Sequence, residues 1–533
     1  MAFTLFIFVL GCCLPAKAAS APQNANCKID NTPPSEADIA FDHGDAKKAD
    51  ALYLADLSKD PKDGRVRVQE IEALQRLHKP EEASKKVADW TSTAPDDPWA
   101  ILAAAQVHYY QGEWLEFYAL ALKALKANPC LPEGYADIAR FERLSGYRAT
   151  AHKHIALAHQ LAPQNDDIRL SWIDSLNQAD SAVELEKYIQ ESNKSIDDKR
   201  RQALVLRLNR ERSLQKDHCE LSSVTGPARI PMVPMYLPRS SYVQFYGLEV
   251  AFNGHKRTLQ IDTGAGGFLL TRTATGNTGL VPVDTVKIGG FGNQDASGAT
   301  LARAATVTIG GLEFKNCIVD ELNGYGVMGG SRIQGNRMDA NDGLMGTNVF
   351  DRYLVTLDYM NHEVRLDPLP AIPGKSEGDV DALGGSVAPD WSDLDRYIAP
   401  SMKSWTKIYR SGHLFDVPVV VNQKIPAIFA ADTGSQSNLI DTSYAKKFTT
   451  AETGIYAMRG LSGTTQMSTA GKFTLDFSGV RLPVKDMDSI DLGGGIQGFL
   501  GYPTLSQLVV HLDYRDNLIL FEEPAATDIT KPR

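Results

Sequence analysis

Apolar positions follow two different periods along the chain, and the change comes near residue 225. Up to about residue 215 the chain is rich in Ala, Leu, Lys, Glu and Tyr, and its apolar residues have helical spacing. Beyond residue 225 Gly, Val, Thr and Asp dominate, and apolar residues alternate with polar ones, as in short strands joined by turns. The pattern predicts a multidomain α + β chain with a helical first part and an all-β second part.

The helical part contains an internal repeat. Four prolines recur at a constant interval of 34 positions, at Pro61, Pro95, Pro129 and Pro163. Small residues recur in the units between them, as the pairs Ala105 and Ala139, Gly112 and Gly146, and Ala124 and Ala158. The period and these small residues resemble the tetratricopeptide repeat, and the match covers 64–97, 98–131 and 132–165. The resemblance implies an α-solenoid over about residues 40–215, with a degraded fourth unit and a capping helix. Its concave surface is expected to bind a protein partner or substrate.

One unit of this repeat carries a cluster of aromatic residues: Tyr109, Tyr110, Trp114, Phe117 and Tyr118. Their helical spacing favours a place in the core between repeats. The alternative is that they line a peptide-binding groove on the concave surface.

The β part uses one motif twice. Asp262-Thr263-Gly264 and Asp432-Thr433-Gly434 each end an apolar strand that follows a hairpin-like turn, at 253–254 and 422–424 respectively. Downstream, each copy has an apolar segment between glycines (343–346 and 498–501) and a Leu-Asp-Tyr triplet (357–359 and 512–514). The motif aspartates are 170 positions apart and the triplets 155 positions apart. The two halves are therefore a duplication, and the second has a shorter loop between these two features.

This duplicated pattern resembles the aspartic peptidases, in particular the bacterial retropepsin-like type fused in tandem, so that one chain supplies both lobes as in pepsin. The resemblance implies a bilobal all-β peptidase fold with lobes at about 228–368 and 402–524, joined by a Gly- and Pro-rich linker at 369–401. It also implies that Asp262 and Asp432 form the catalytic pair.

The resemblance extends to the residues around each aspartate. It implies that Thr263 and Thr433 hydrogen-bond across the lobes, and that the backbone N–H groups of Gly264 and Gly434 point at the carboxylates. Ser435 is expected to support its loop by donating its hydroxyl hydrogen to a carboxylate, which would favour the ionised form of Asp432. Lobe one has no such hydroxyl, because Ala265 stands at the corresponding position.

The chemistry explains why paired carboxyl groups are needed. Two carboxylates held face to face disfavour double ionisation and share one proton. The ionised member can activate a water molecule while the protonated member donates to the substrate oxygen, so the predicted endopeptidase needs no metal or cofactor. Glycine hairpins are expected to cover the cleft, with Gly289 and Gly290 in lobe one and Gly460 and Gly463 in lobe two, and ordinary glycine hairpins without a covering role are the alternative. Cleavage near residues 215–230, which would release the repeats as an activation step, is a further hypothesis.

The net charge and the N-terminal segment limit the possible partners and the cellular location. The formal charge is -10, which gives no electrostatic basis for binding nucleic acid. Residues 1–21 read as a cleaved signal peptide, which predicts a periplasmic or secreted protein. Around Cys12 the sequence also loosely resembles a lipoprotein box, so a lipid-anchored form is the alternative, and a membrane is expected as a partner only in that case.

Four cysteines remain after signal removal, namely Cys27, Cys130, Cys219 and Cys317, and they allow three pairings. A bond between Cys27 and Cys219 could close the helical region, and four unpaired buried thiols are the other interpretation.

A different functional class also fits the sequence. The β lobes could keep the Asp-Thr-Gly turns for structure alone. The chain would then be a non-catalytic peptide-binding or assembly protein that acts through the repeat solenoid.

Overall fold

This computed structural model describes residues 27–192, 198–216, 219–222, 227–236, 241–288, 297–322, 342–374, 394–460, 463–492 and 495–524. Residues 1–26, with the predicted signal peptide and Cys12, lie outside these ranges. Residues 289–296, with the predicted cover glycines Gly289 and Gly290, also lie outside them.

Helices dominate the chain from Glu36 to Lys216, which confirms the predicted α-solenoid of tetratricopeptide-like repeats. Pro98 and Pro132 occupy the first turn of their helices, where a missing N–H costs no hydrogen bond. The N-termini of three helices are capped by the side chains of Asp45, Asp63 and Asp97, which accept hydrogen bonds from backbone N–H groups of the first turn. The helices are α1 (Glu36–Asp42), α2 (Ala46–Lys59), α3 (Gly64–Arg76), α4 (Pro80–Thr93), α5 (Pro98–Tyr110), α6 (Trp114–Ala127), α7 (Pro132–Leu144), α8 (Arg148–Leu161), α9 (Asp166–Ile173), α10 (Gln178–Glu191) and α11 (Asp198–Lys216).

Strands make up most of the rest, which confirms the predicted all-β second part. In the first lobe and before it these are β1 (Glu220–Leu221), β2 (Ala228–Pro231), β3 (Val233–Tyr236), β4 (Val243–Phe252), β5 (His255–Asp262), β6 (Phe268–Thr271), β7 (Val281–Ile288), β8 (Ser297–Ile309), β9 (Leu312–Leu322), β10 (Gly343–Gly346), β11 (Tyr353–Asp358) and β12 (Glu363–Pro368). In the second lobe they are β13 (Thr406–Lys407), β14 (Tyr409–Ser411), β15 (Leu414–Val421), β16 (Ile425–Asp432), β17 (Leu439–Asp441), β18 (Ala451–Gly460), β19 (Gly463–Ala470), β20 (Phe473–Phe477), β21 (Val480–Val484), β22 (Met487–Ile490), β23 (Gly498–Gly501), β24 (Val509–Asp513) and β25 (Leu518–Glu522). Short helices are α12 (Arg272–Thr275), α13 (Thr442–Ala445) and α14 (Tyr502–Leu505), and 3-10 turns lie at Thr347–Phe350 and Pro400–Met402.

Each lobe inserts one strand between the two that flank its Asp-Thr-Gly loop. In lobe one, β10 pairs parallel with β5 and antiparallel with β6. In lobe two, β23 pairs parallel with β16 and antiparallel with β17. The glycine-bounded segments predicted from the sequence are these inserted strands, and they hold both ends of each loop.

A six-stranded sheet joins the lobes, in the order β13-β25-β24-β11-β12-β2. At its centre the two Leu-Asp-Tyr strands pair antiparallel, with Val355 opposite Leu512 and Leu357 opposite Val510. A rotation that exchanges the two lobes places Val355 on Val510 and Leu357 on Leu512, so it maps the first of these pairs onto the second. The pseudo-twofold axis therefore passes through the pair between them, Thr356 and His511, whose side chains hydrogen-bond at 2.9 Å.

Two disulfides correct the expectations for the cysteines. Cys27 bonds to Cys130 within the helical part, and Cys219 bonds to Cys317 at the edge of lobe one. The suggested Cys27–Cys219 bond and the alternative of four free thiols are both wrong. Disulfides are typical of oxidising compartments, which is consistent with the predicted extracytoplasmic location. In the described part of the chain, no helix is long and apolar enough to cross a membrane.

The solenoid packs directly against lobe two. Trp114 and Phe117 are buried in a cluster with Phe141 of the solenoid and Ile428 of lobe two, and Tyr409 of lobe two packs onto it. The ring centroids of Trp114 and Tyr409 are 4.8 Å apart. The aromatic cluster is thus neither purely a core between repeats nor a groove lining, because much of it forms the contact between the two parts of the chain.

Candidate active site

The two motif aspartates end equivalent strands, Asp262 on β5 and Asp432 on β16. The loop that follows each aspartate folds back so that a backbone amide caps its own carboxylate. Gly264 N–H donates to Asp262 Oδ1 at 2.7 Å, and Gly434 N–H donates to Asp432 Oδ1 at 2.8 Å. Both glycine amides therefore point at carboxylates.

Thr263 and Thr433 form a reciprocal set of bonds across the lobes. Each backbone N–H donates to the hydroxyl of the other threonine, at 3.0 Å from Thr263 and 2.9 Å from Thr433. Each hydroxyl in turn donates to a strand carbonyl of the opposite lobe, Ala431 at 2.7 Å for Thr263 and Ile261 at 3.0 Å for Thr433. Both side chains are buried, so these four bonds fix the two loops relative to each other.

The loops approach so closely that each carboxylate lies against the glycine of the opposite loop. A Cβ atom on Gly264 would lie 2.5 Å from Asp432 Oδ1, and one on Gly434 would lie 2.5 Å from Asp262 Oδ1. Only glycine leaves room for this contact. The structure thus brings together Asp262, Asp432 and the loop residues predicted with them.

Burial and the neighbouring Asp432 carboxylate raise the pKa of Asp262 well above its usual range. Burial also raises the pKa of Asp432, but the Gly434 N–H, a hydrogen bond with the Asp262 carboxyl and the nearby His413 stabilise its ionised form. Both carboxyl groups therefore have raised pKa values, and they titrate as a pair rather than as two independent acids.

Ser435 does not act as the sequence suggested. Its hydroxyl donates to the carbonyl of Ser437 at 2.8 Å, so the expected bond to a carboxylate is replaced by one that closes the loop. The groups that oppose the raised pKa of Asp432 are the backbone N–H groups of Gly434 and Ser435, the Asp262 carboxyl and His413, and the Ser435 hydroxyl is not among them.

Gly460 and Gly463 pair with each other at the end of the hairpin formed by β18 and β19. In lobe one the corresponding hairpin is formed by β7 and β8, whose last described pair joins Ile288 to Ser297. A hairpin thus ends at the predicted lobe-two glycines, whereas Gly289 and Gly290 lie outside the described residues, and the covering role of both pairs stays a prediction.

Sequence reasoning missed three residues near the pair. His413 of lobe two donates from Nε2 to the Gly264 carbonyl of lobe one at 2.8 Å, and burial lowers the pKa of this imidazole. Tyr359 and Tyr514 are buried, one on each lobe. Burial raises the pKa of both phenols, and the nearby charge of Asp262 adds to this effect. Both tyrosines belong to the repeated triplet, so the duplication itself was a signal for them, whereas no motif marks His413.

Within the ranges that the structure describes, no three His, Cys, Asp or Glu side chains come together as a metal site.

No protein-family model matches the sequence, and a search of curated proteins gives no match. Among solved structures, an aspartic proteinase from Irpex lacteus is 12% identical, with a TM-score of 0.34, over 57% of this chain and 99% of that one. A thermophilic TPR protein from Thermus thermophilus is 15% identical, with a TM-score of 0.26, over 32% of this chain and 92% of that one. The APC/C hetero-tetramer Cut9-Hcn1 is 15% identical, with a TM-score of 0.29, over 34% of this chain and 35% of that one. All three TM-scores are low, so these likenesses carry no argument about function.

Proposed function

We propose that the chain is an aspartic-type endopeptidase that hydrolyses peptide bonds between its two β lobes. The observation that carries this proposal is the reciprocal threonine network, which joins two Asp-Thr-Gly loops face to face and leaves their carboxyl groups in contact. A pair of turns kept for structure alone would not need two buried acids side by side, because burying them costs free energy.

In the proposed reaction, ionised Asp432 takes a proton from a water molecule held between the carboxyl groups. The oxygen of that water bonds to the peptide carbonyl carbon while protonated Asp262 donates its proton to the carbonyl oxygen. The tetrahedral diol then collapses: Asp432 gives its proton to the nitrogen, Asp262 takes a proton from one diol hydroxyl, and the C–N bond breaks. An acid and an amine leave, and the carboxyl pair returns to its starting protonation state. One dyad thus acts as base and acid in turn.

The cover hairpins and the solenoid extend this proposal. The hairpin that ends at Gly460 and Gly463, and its counterpart in lobe one, would close over an extended peptide and exclude water. The concave face of the solenoid would bind the substrate protein or a partner.

The test is mass spectrometry of a peptide library incubated with the full chain at about pH 4 to 7, the range in which a shared carboxyl proton matters. Asp262→Asn and Asp432→Asn are the matched variants, because each keeps the shape of the side chain and removes its ionisation. We expect cleavage by the wild type and a loss of about 10⁴-fold or more in both variants.

Two results would contradict the proposal. Cleavage that persists in both variants would place the activity elsewhere. A wild type that is well folded and cleaves nothing would favour a peptide-binding or assembly protein instead.

A further inference from the structure

The solenoid meets lobe two through a row of equivalent turns. Each of the first four helix pairs is joined by a turn whose residue has positive φ, and these residues are 34 positions apart. They are Gly44 (φ 80°), His78 (φ 57°), Gly112 (φ 77°) and Gly146 (φ 86°). Gly44 has nothing near its missing side chain, whereas the other three turns face Asp491, Gln497 and Asn517 of lobe two.

One line of contact runs from this row to the strand of Asp432. A Cβ atom on Gly112 would collide with the Gln497 amide and lie 2.5 Å from its Cδ. The side-chain oxygen of Gln497 accepts from Ile428 N–H at 2.8 Å, and the Gln497 N–H donates to the Ile428 carbonyl at 2.7 Å. Ile428 lies on β16, which ends at Asp432. The solenoid turn therefore contacts Gln497, the residue that hydrogen-bonds to this strand.

A second line runs to the loop of Asp262. Trp114 and Phe141 of the solenoid pack on Tyr409, with ring centroids 4.8 and 5.8 Å from it. Tyr409 begins β14, and the turn between β14 and β15 carries His413. The bond from His413 to the Gly264 carbonyl crosses from lobe two to lobe one. The hairpin is thus held at its base by the solenoid, and its tip holds the opposite catalytic loop.

From these two lines we infer that the docked solenoid is a positioning element of the carboxyl pair, with His413 as the positioning residue for the lobe-one loop. The inference rests on the proposed peptidase function. Its physical basis is that a displacement of about 1 Å in a reacting group can cost about 100-fold in rate. It predicts that releasing the solenoid inactivates the enzyme, which is the opposite of activation by cleavage near residues 215–230.

The first test compares Gly112→Ala with Gly44→Ala in the full chain. Both substitutions place alanine in the same repeat position with the same left-handed backbone, so their strain is matched, and only the contact with lobe two differs. We expect Gly112→Ala to lower kcat by about 10- to 100-fold with little change in KM, and Gly44→Ala to leave kcat unchanged. Equal effects of the two variants would overturn the inference.

A second set of variants avoids the solenoid and guards against misfolding. His413→Ala removes the bond to Gly264, whereas His413→Gln keeps an N–H donor of similar reach. We expect kcat to fall about tenfold in the alanine variant and to be largely rescued in the glutamine variant, with KM nearly unchanged in both. Alanine and glutamine variants that are equally active or equally impaired would exclude His413 as a positioning residue.

Amide hydrogen exchange separates a failure of this inference from a failure of the peptidase proposal, since it requires no catalysis. We expect Gly112→Ala, but not Gly44→Ala, to speed exchange of the Ile428 amide. His413→Ala should speed exchange in the loop of Gly264. If exchange responds and no peptide is ever cleaved, the positioning holds and the peptidase function fails; unchanged exchange would refute the positioning whatever the activity.

Discussion

The two lobes make the same hydrogen bonds with different side chains where their surroundings differ. In lobe one, the Asp342 carboxylate accepts from Thr258 N–H at 2.9 Å just before the inserted strand β10. At the equivalent place in lobe two the Gln497 amide accepts from Ile428 N–H at 2.8 Å. Asp342 is half-exposed, whereas Gln497 is buried beneath the solenoid. A neutral amide suits the covered site, because a carboxylate there would lose its hydration.

The turns after the Leu-Asp-Tyr strands show the same divergence. His362 in lobe one and Asn517 in lobe two both have positive φ, at 55° and 52°. His362 bonds within its own lobe to the Tyr246 hydroxyl at 2.7 Å. Asn517 instead donates to the Leu144 carbonyl at 3.1 Å and accepts from Arg148 at 3.0 Å, both in the solenoid. Duplication thus preserved the backbone of the lobes, while the second lobe changed its outer side chains to receive the repeats.

The strongest test of the symmetry is at the shared threonines. Replacing Thr263 or Thr433 with Val removes one hydroxyl and leaves a buried N–H and a buried carbonyl unpaired in the opposite lobe. We expect each variant to lose about 2–4 kcal/mol of unfolding free energy, and the two losses to be similar. Equilibrium urea unfolding measures both, with the Thr→Ser variants as controls that keep the hydroxyl. Losses differing by more than about 1 kcal/mol would show that one lobe depends on the other more than the reverse.

A smaller effect is expected in the pH dependence of stability, because the two lobes differ at one buried titratable position. Asp416 of lobe two is fully buried, and burial raises its pKa to about 7, whereas Gly247 takes its place in lobe one. Because the folded chain binds this proton more tightly than the unfolded chain, Asp416 contributes stability below about pH 4 that is lost as the pH rises through about 7.

Asp416→Asn should therefore flatten the fall in stability between about pH 4 and 8, and raise the unfolding free energy at pH 8 by about 1–3 kcal/mol. Thermal unfolding across this range checks it, with Asp486→Asn at an exposed position as the control. Parallel curves for Asp416→Asn and wild type would contradict the expectation.

The smallest effect is expected where the lobes differ next to the carboxyl pair. Ser435 bonds to the Ser437 carbonyl, so Ser435→Ala, which copies Ala265 of lobe one, should leave the acid limb of the activity profile within about 0.3 pH units of wild type. A larger shift in kcat/KM against pH would mean that the hydroxyl reaches a carboxylate during the reaction.

Much of the architecture was predictable because short, local sequence patterns determine it. The regular spacing of the prolines predicted the repeats, and the duplicated Asp-Thr-Gly, Gly-bounded and Leu-Asp-Tyr segments predicted two equivalent lobes. The helical domain was predicted from about residue 40, but its first helix pair, α1 and α2, was not recognised as a repeat unit, although Gly44 lies one repeat length before His78. Position 27, one repeat length before Pro61, holds a cysteine instead of a proline, so the regular proline spacing begins only at the end of this pair.

The cysteine pairs and the solenoid contact were beyond sequence reasoning for a different reason. Cys27 and Cys130 are 103 residues apart, and Asn517 meets Leu144 across 373 residues. Such pairs carry no local periodicity, so nothing near either residue identifies its partner. Trp114 illustrates the point, because its helical spacing indicates burial but not which surface buries it.

By itself, the sequence determined the helical and β halves, the duplication, and the loops that carry Asp262 and Asp432, since propensity, turn chemistry and apolar period act over a few residues. Only the tertiary structure decided that the two loops share one threonine network, that His413 reaches across the lobes, and that the turns of the repeats meet lobe two while α11 meets lobe one. These depend on side chains meeting after the chain has folded, where complementary shape and paired polar groups select one arrangement from many that the same local patterns allow.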